Sequence, residues 1–237
     1  MTPPQHGLTI FIPVYNEEAL LAPNTMELIR FLSDLNIPFE IIIGSNGSTD
    51  GTTSVASQLS ASSSEVRWFH LPQKGVGTAF AEAVRRCAYD RIVTVDMDLS
   101  IALEFIERSY HLLDRCDIVI GSKITGCQQR SLLRRLASYV FIQLARRLLN
   151  IGFHDYSIAA KAYRKEVAAA YIGCVDRHTF YVVHMVFMAA RDGKKLMEIP
   201  VSCIDLRESR FNLVHEGFYK FGNLFRLYFK EYPYLRK

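Results

Sequence analysis

The chain has 237 residues, 49% of them hydrophobic and 22% charged, with a formal net charge of +4. That suits one large globular domain, or a domain with an appendage, and gives no electrostatic case for a nucleic-acid partner. Five scattered cysteines without a C-x-x-C pair exclude a disulfide framework and a zinc ribbon, and fit a reducing cytosol.

Residues 1–7 lack the basic and apolar regions of a secretory leader. No apolar run reaches the roughly 18 residues needed to span a bilayer, so the expected location is cytoplasmic, with membrane contact peripheral. Residues 8–13 form an apolar run ending in Pro13, a first strand, and residues 17–35 follow with helical spacing. Residues 39–44 make a second strand. Residues 45–52 form a turn cluster in which Asp50 can cap a helix reaching about residue 59. A third strand is expected over 66–71, a helix over 75–88, a fourth strand over 91–96, a helix over 102–115 and a strand over 117–121. Strands alternating with helices of this length predict βαβ units and a mostly parallel sheet, hence an α/β fold.

The second half differs in character. Residues 131–149 predict a long amphipathic helix, 154–163 an irregular or extended segment, 164–171 and 178–191 helices, 197–204 a late strand, and 212–230 a final amphipathic helix rich in Phe and Tyr. From Ser122 to Asn150 the chain carries Lys123, Arg130, Arg134, Arg135, Arg146 and Arg147 and no acidic residue. Such a block suits phosphates, on a ligand or at an anionic membrane surface; a solvated helix face is the plain alternative.

The chemistry gathers at strand ends. The fourth strand ends in Asp96-Met97-Asp98-Leu99-Ser100. Two carboxylates at the carboxyl edge of a buried strand suit a hard divalent cation that also holds phosphates. A lone D-x-D is equally well a strand end followed by a helix cap. The first strand ends in Pro13-Val14-Tyr15-Asn16-Glu17-Glu18 and the second in Ser45 to Thr52, so three such loops fall on one edge.

The runs P-V-Y-N-E-E, G-S-T-D-G-T, K-G-V-G-T-A-F, D-M-D-L-S, D-I-V-I-G-S-K and D-Y-S-I-A-A-K-A-Y-R-K-E-V together resemble family-2 glycosyltransferases of the GT-A fold. Within them they resemble dolichol-phosphate mannosyltransferases and other polyprenyl-phosphate glycosyltransferases. The resemblance runs from about residue 8 to 211. It implies a GT-A domain over 1–211, with a nucleotide-sugar half to about 121 and an acceptor half from 122, followed by a helical tail over 212–237. It places Pro13, Tyr15 and Glu17 along the nucleoside, Asn46 and Asp50 near the base, and Lys74 and Gly75 on the loop running to the nucleotide. Asp96, Asp98 and Ser100 fall at a Mg²⁺ or Mn²⁺ ion and through it at the diphosphate, and Lys123, Arg134 and Arg210 at basic positions facing phosphates. Ser45-Asn46 stand where relatives carry two acids, and Ile158-Ala159 where they carry Ser-Gly.

The implied reaction is an inverting, metal-dependent transfer from GDP-mannose or a UDP-hexose to a polyprenyl or dolichyl phosphate. An anionic acceptor needs no strong general base. A hydroxyl acceptor needs a carboxylate, for which Asp155 is the first choice and Asp98 the second. A soluble glycosyltransferase acting on a hydroxyl, and a non-catalytic nucleotide-sugar-binding subunit, are the alternatives. A membrane-protein partner or a homo-oligomer is compatible with either.

Overall fold

The computed structural model describes residues 5–123, 132–156, 158–203 and 213–235. In chain order the elements are β1 (Gln5–Val14), α1 (Glu18–Asp34), β2 (Phe39–Asn46), α2 (Thr52–Ser62), β3 (Val66–Leu71), α3 (Val76–Arg86), β4 (Tyr89–Thr94), α4 (Glu104–Leu112), β5 (Ile118–Ser122), α5 (Leu132–Leu149), β6 (Lys161–Arg164), α6 (Lys165–Ala170), α7 (Tyr181–Arg191), β7 (Leu196–Pro200) and α8 (Leu213–Leu235). The strands form one sheet in the order β3-β2-β1-β4-β6-β5-β7. β6 alone runs antiparallel to its neighbours, β4 and β5.

The expected α/β layering is present, and period-two alternation explains it. In β1, Leu8, Ile10 and Ile12 face one apolar layer with Leu21, Leu28 and Ile106. Phe11 faces the other, with Phe80, Tyr163 and Met185. Both faces are covered, so the central strands read as nearly unbroken apolar runs. The β1–β4 ladder stops at Phe11↔Thr94. Pro13, which has no N–H to offer, lies beyond its end.

Three of the differences from the sequence expectation bear on the site. β2 continues through Ser45 and Asn46, which pair with His70 and Leu71 of β3, so these residues belong to a strand and not to the turn that follows. β4 ends at Thr94, although the Val95 amide still reaches the Phe11 carbonyl at 3.1 Å. The segment expected to be irregular or extended contains β6, whose residue Lys161 pairs with Thr94 on one side and Ile120 on the other. Because β6 is antiparallel, its first residue lies at the carboxyl edge of β4 and β5, beside the loops that carry the chemistry.

Candidate active site at the carboxyl edge of the sheet

The β1 and β2 loops are laced together. The Asn16 amide nitrogen donates to Ser48 Oγ at 3.2 Å, and Asn16 Oδ1 accepts from the Thr49 amide at 2.8 Å. Asn16 adopts φ +55°, a left-handed conformation that asparagine tolerates because its short side chain bonds locally. The Glu17 amide donates to Thr52 Oγ1 at 2.9 Å. Asp50 accepts from the amides of Thr52 (3.0 Å) and Glu18 (3.4 Å), thereby serving the starts of both α2 and α1. Burial pushes its carboxyl up, but these donors outweigh it and hold the pKa below the usual value. The helix-capping part of the sequence reading is thus what Asp50 does in the structure.

Asn46 is buried, and its amide joins three loops. Nδ2 donates to the Val14 carbonyl at 2.9 Å, and Oδ1 accepts from the Gly75 amide at 3.1 Å. A carboxylate could do the second but not the first. That is the physical reason an amide occupies this position. Gly47 follows at φ +74°, where a Cβ would lie 2.6 Å from the Lys74 amide nitrogen; only glycine fits there. Lys74 Nζ lies 3.7 Å from the Tyr15 ring centroid, a cation–π contact that closes the groove between the β1 and β3 loops.

Asp96 and Asp98 sit just past β4, half-buried. The turn between them is tightly fixed. Asn24 of α1 donates to the Met97 carbonyl at 2.8 Å, and the Leu99 amide returns to the Asp96 carbonyl at 3.1 Å. The Ser100 amide donates to Asp98 Oδ1 at 3.0 Å. Leu99 has φ +49°, a conformation that costs a non-glycine residue roughly 1–2 kcal/mol. Burial first, and then the neighbouring Asp98 carboxylate, push Asp96 up to about 6, against an amide bond from Ala159 and the fields of Lys123 and Lys161. A pair of carboxylates this close, one of them reluctant to ionise alone, is a donor set that a divalent oxygen-seeking cation fits. Among the described residues no third His, Cys, Asp or Glu joins them as a ready-made metal cluster. The remaining ligands of such an ion would come from Ser100, water or substrate phosphate.

Lys123 is 2% exposed at the end of β5, and Asp155 is fully buried. Lys123 Nζ lies 3.8 Å from Asp155 Oδ2, and the Lys123 amide donates to the same oxygen at 3.3 Å. Asp155 therefore faces a buried ammonium and a backbone donor. Arg134 lies within α5, with its side chain outside the described residues, and Arg210 lies outside them altogether. Arg146 and Arg147 line a groove of about 420 Å³ with Gln143, Asn150, Ile151 and Gly152. Arg146 Nη1 lies 3.1 Å from His154 Nε2, whose Nδ1 meets Glu198 at 2.8 Å. The basic block is thus split: Lys123 is inside, and Arg146 and Arg147 are at the surface.

Two contributors are invisible to sequence spacing. Lys161 is 1% exposed, a burial that its place in the run Ala159-Ala160-Lys161-Ala162 does not announce. Arg177 Nε donates to the Lys74 carbonyl at 2.9 Å, and the Gly77 amide to the Arg177 carbonyl at 3.1 Å. A segment a hundred residues downstream thereby clamps the start of α3.

The family model described as Glycosyl transferase family 2 matches residues 9–172. An undecaprenyl-phosphate 4-deoxy-4-formamido-L-arabinose transferase of Pseudomonas fluorescens (strain Pf0-1) is 27% identical over 201 residues, spanning 84% of this chain and 58% of that protein. The protein of the same name from Pectobacterium carotovorum subsp. carotovorum (strain PC1) is 26% identical over 197 residues, spanning 82% and 59%. The chain thus spans less than two thirds of the length of these relatives. Among solved structures, glucosyl-3-phosphoglycerate synthase from Mycobacterium tuberculosis with uridine diphosphate superposes with TM-score 0.66 at 16% identity, covering 92% of this chain and 79% of that one. The same enzyme with Mn²⁺ and UDP-glucose gives 0.65 at 16%, covering 90% and 74%. These neighbours share the GT-A fold.

Proposed function

The chain belongs to glycosyl transferase family 2, and from that membership we propose that it transfers a sugar, with inversion, from a nucleotide sugar to a polyprenyl phosphate at the cytoplasmic face of a membrane. The observation that carries the acceptor part is the Lys123–Asp155 pair. Asp155, the first-choice carboxylate for activating a hydroxyl, is buried against a lysine ammonium and an amide. A carboxylate so engaged is a poor general base. An acceptor that arrives already anionic needs none, and a buried cation favours it. The names of the curated relatives, transferases to undecaprenyl phosphate, support the same acceptor class.

For the donor, Pro13, Tyr15 and Glu17 line the nucleoside, and Lys74 and Gly75 close over it. Asn46 and Asp50 serve by holding the β1, β2 and α3 loops in register. Asp96, Asp98 and Ser100 would hold Mg²⁺ or Mn²⁺, whose chemistry there would be Lewis-acid stabilisation of the departing diphosphate. Lys123, with Arg134 and Arg210, stabilises phosphate charge. Solved neighbours crystallised with Mn²⁺ and UDP-glucose support a divalent ion and a nucleotide-sugar donor in this fold. Residues 1–121 form the donor half, and 122–211 the acceptor half.

The test is release of nucleoside diphosphate by the full chain from GDP-mannose, UDP-glucose and UDP-N-acetylglucosamine. It is run with Mn²⁺ or EDTA, and with or without undecaprenyl phosphate. Release that needs both the ion and the lipid phosphate is expected. Release onto water-soluble hydroxyl acceptors alone would overturn the acceptor assignment. Binding of a donor with no release in any combination would make the chain a nucleotide-sugar-binding subunit.

A further inference from the structure

Glu198 has no part in the donor or acceptor reading, yet it grips the residue that precedes Asp155. It lies on β7, the last strand of the sheet, in register with Ile120 of β5. A glutamate there ordinarily faces water, but this side chain is only 12% exposed. Oε1 accepts from the His154 amide at 2.8 Å, and Oε2 meets His154 Nδ1 at 2.8 Å. On its far side the ring meets Arg146 of α5, with Nη1 3.1 Å from Nε2. A guanidinium can only donate, so Nε2 accepts and the ring is neutral, with its one proton on Nδ1 and shared with Glu198. The tautomer is assigned by this network. An inward charge on an outer strand also discourages edge pairing, but that role needs no particular partner. Glu198 commits both oxygens to one residue.

The consequence lies one residue further on. Asp155 is fully buried; its Oδ2 accepts from the Lys123 amide at 3.3 Å and lies 3.8 Å from Lys123 Nζ. Lys123 directly follows β5, and the ladder that places it also places Glu198, because Ile120 pairs with Glu198 and Ser122 with Pro200. Beyond Asp155, Lys161 Nζ donates to the Ile158 carbonyl at 3.0 Å and to the Ala160 carbonyl at 3.3 Å. The stretch that bears Asp155 is thus anchored from β7 before it and from β6 after it.

We propose that Glu198 is a positioning residue for the acceptor phosphate: by fixing both the amide and the ring of His154 it holds Asp155 against Lys123, and so sets where the buried ammonium stands. The proposal rests on the reading of Lys123 as a phosphate-facing cation given above. Glu198 touches neither donor nor acceptor; it acts through His154 and Asp155. The position calls for a carboxylate. Two donors on His154 need two acceptors, and the side chain of glutamine supplies one acceptor and a donor group.

The test compares the full wild-type chain with Glu198→Gln and His154→Phe. KM values for donor and for undecaprenyl phosphate are measured separately, beside the thermal midpoint. Nitrogen NMR of histidine-labelled protein reports the ring tautomer, the His154 signals being those that vanish in His154→Phe. Wild type is expected to carry the proton on Nδ1. Glu198→Gln is expected to raise the lipid-phosphate KM about tenfold, the equivalent of about 1.4 kcal/mol, with the donor KM unchanged. His154→Phe keeps the amide bond and loses the ring bond, so the same KM should rise by a smaller factor. An unchanged lipid-phosphate KM in Glu198→Gln overturns the proposal whatever happens to the thermal midpoint, and so does an equal rise in both KM values. A wild-type ring with its proton on Nε2 overturns it too, because such a ring has nothing to donate to Glu198. Should Glu198→Gln fail to fold, an unchanged lipid-phosphate KM in His154→Phe overturns it. A wild-type chain that binds donor but gives no turnover on undecaprenyl phosphate refutes the acceptor reading itself, and the inference falls with it.

Discussion

Asn46 shows how much a single atom decides in this site. Its Nδ2 donates to Val14 and its Oδ1 accepts from Gly75, so Asn46→Asp exchanges a donor for a second acceptor and sets a carboxylate against a carbonyl. Leaving a buried group unsatisfied costs about 1–3 kcal/mol. Urea unfolding should show a loss of that size, with weaker nucleotide binding, and an unchanged midpoint would mean that Asn46 does not join the loops. Asp96 makes a prediction of opposite character. Its pKa in the folded chain is about 6, against an ordinary 3.8. A group whose pKa is raised by folding contributes stability that is complete below the lower value and lost as pH rises through the upper one. Without metal, wild type should therefore lose stability relative to Asp96→Asn between about pH 4 and pH 6. Mn²⁺ should reverse that loss, because protons and the ion compete for the same oxygens. Thermal midpoints of the two proteins across that range, with and without Mn²⁺, check both statements; parallel curves would contradict them.

At the scale of elements, the start of α3 carries the clearest steric prediction. A Cβ on Gly77 would lie 1.9 Å from the Asp176 carbonyl oxygen, a backbone atom that cannot turn aside. Gly77→Ala should lift the 176–178 segment off the Lys74–Gly75 loop, cost about 1–3 kcal/mol as overpacking does, and raise the donor KM with little effect on the acceptor KM. Equal changes in both KM values would place the defect elsewhere. The same elements show what sequence can and cannot convey. β1, β2 and β4 were legible because burial on both faces demands unbroken runs such as Ile41-Ile42-Ile43, and the loops at their ends because Gly, Asn and Asp punctuate them. β6 was not. Lys161 to Arg164 is four residues long, runs directly into α6, and takes its strand character from β4 and β5 and not from its own composition. For the same reason Lys161 and Arg177 stayed hidden: their partners lie in carbonyls and turns that spacing along the chain does not encode. Asn46 was found as a departure from its family, but its work as a joint appears only once Val14 and Gly75 are brought beside it.

At the scale of the whole molecule, α8 presents two unlike faces. Leu224 and Leu227 are buried, Phe221 meets Phe141 of α5 edge-on at 5.4 Å, and Arg191 of α7 holds Glu231 at 2.8 Å. These contacts account for the inner face. They leave Phe218, Phe225 and Phe229 outside at 78%, 43% and 70% exposure, and Leu136, Tyr139 and Val140 of α5 are exposed as well. Offsets of seven and four residues put the three phenylalanines on one stripe of the helix. Exposed Arg226 and Lys230 lie on the same helix. An apolar stripe with basic residues alongside suits the plane of an anionic bilayer. Among the described residues no helix is long and apolar enough to cross a membrane, so contact made by these residues would be along the surface. The triple variant Phe218→Ser, Phe225→Ser, Phe229→Ser should lose flotation with vesicles containing anionic lipid. It should still release nucleoside diphosphate when given a short-chain, water-soluble isoprenoid phosphate. Raising salt from 0.1 M to 1 M shortens the Debye length from about 10 Å to about 3 Å, so the basic contribution to binding should fade while the phenylalanine contribution persists. Unchanged flotation of the triple variant at high salt would show that the stripe does not meet lipid. Loss of turnover on the soluble acceptor as well would mean that it is part of the fold, and not of the approach to the membrane.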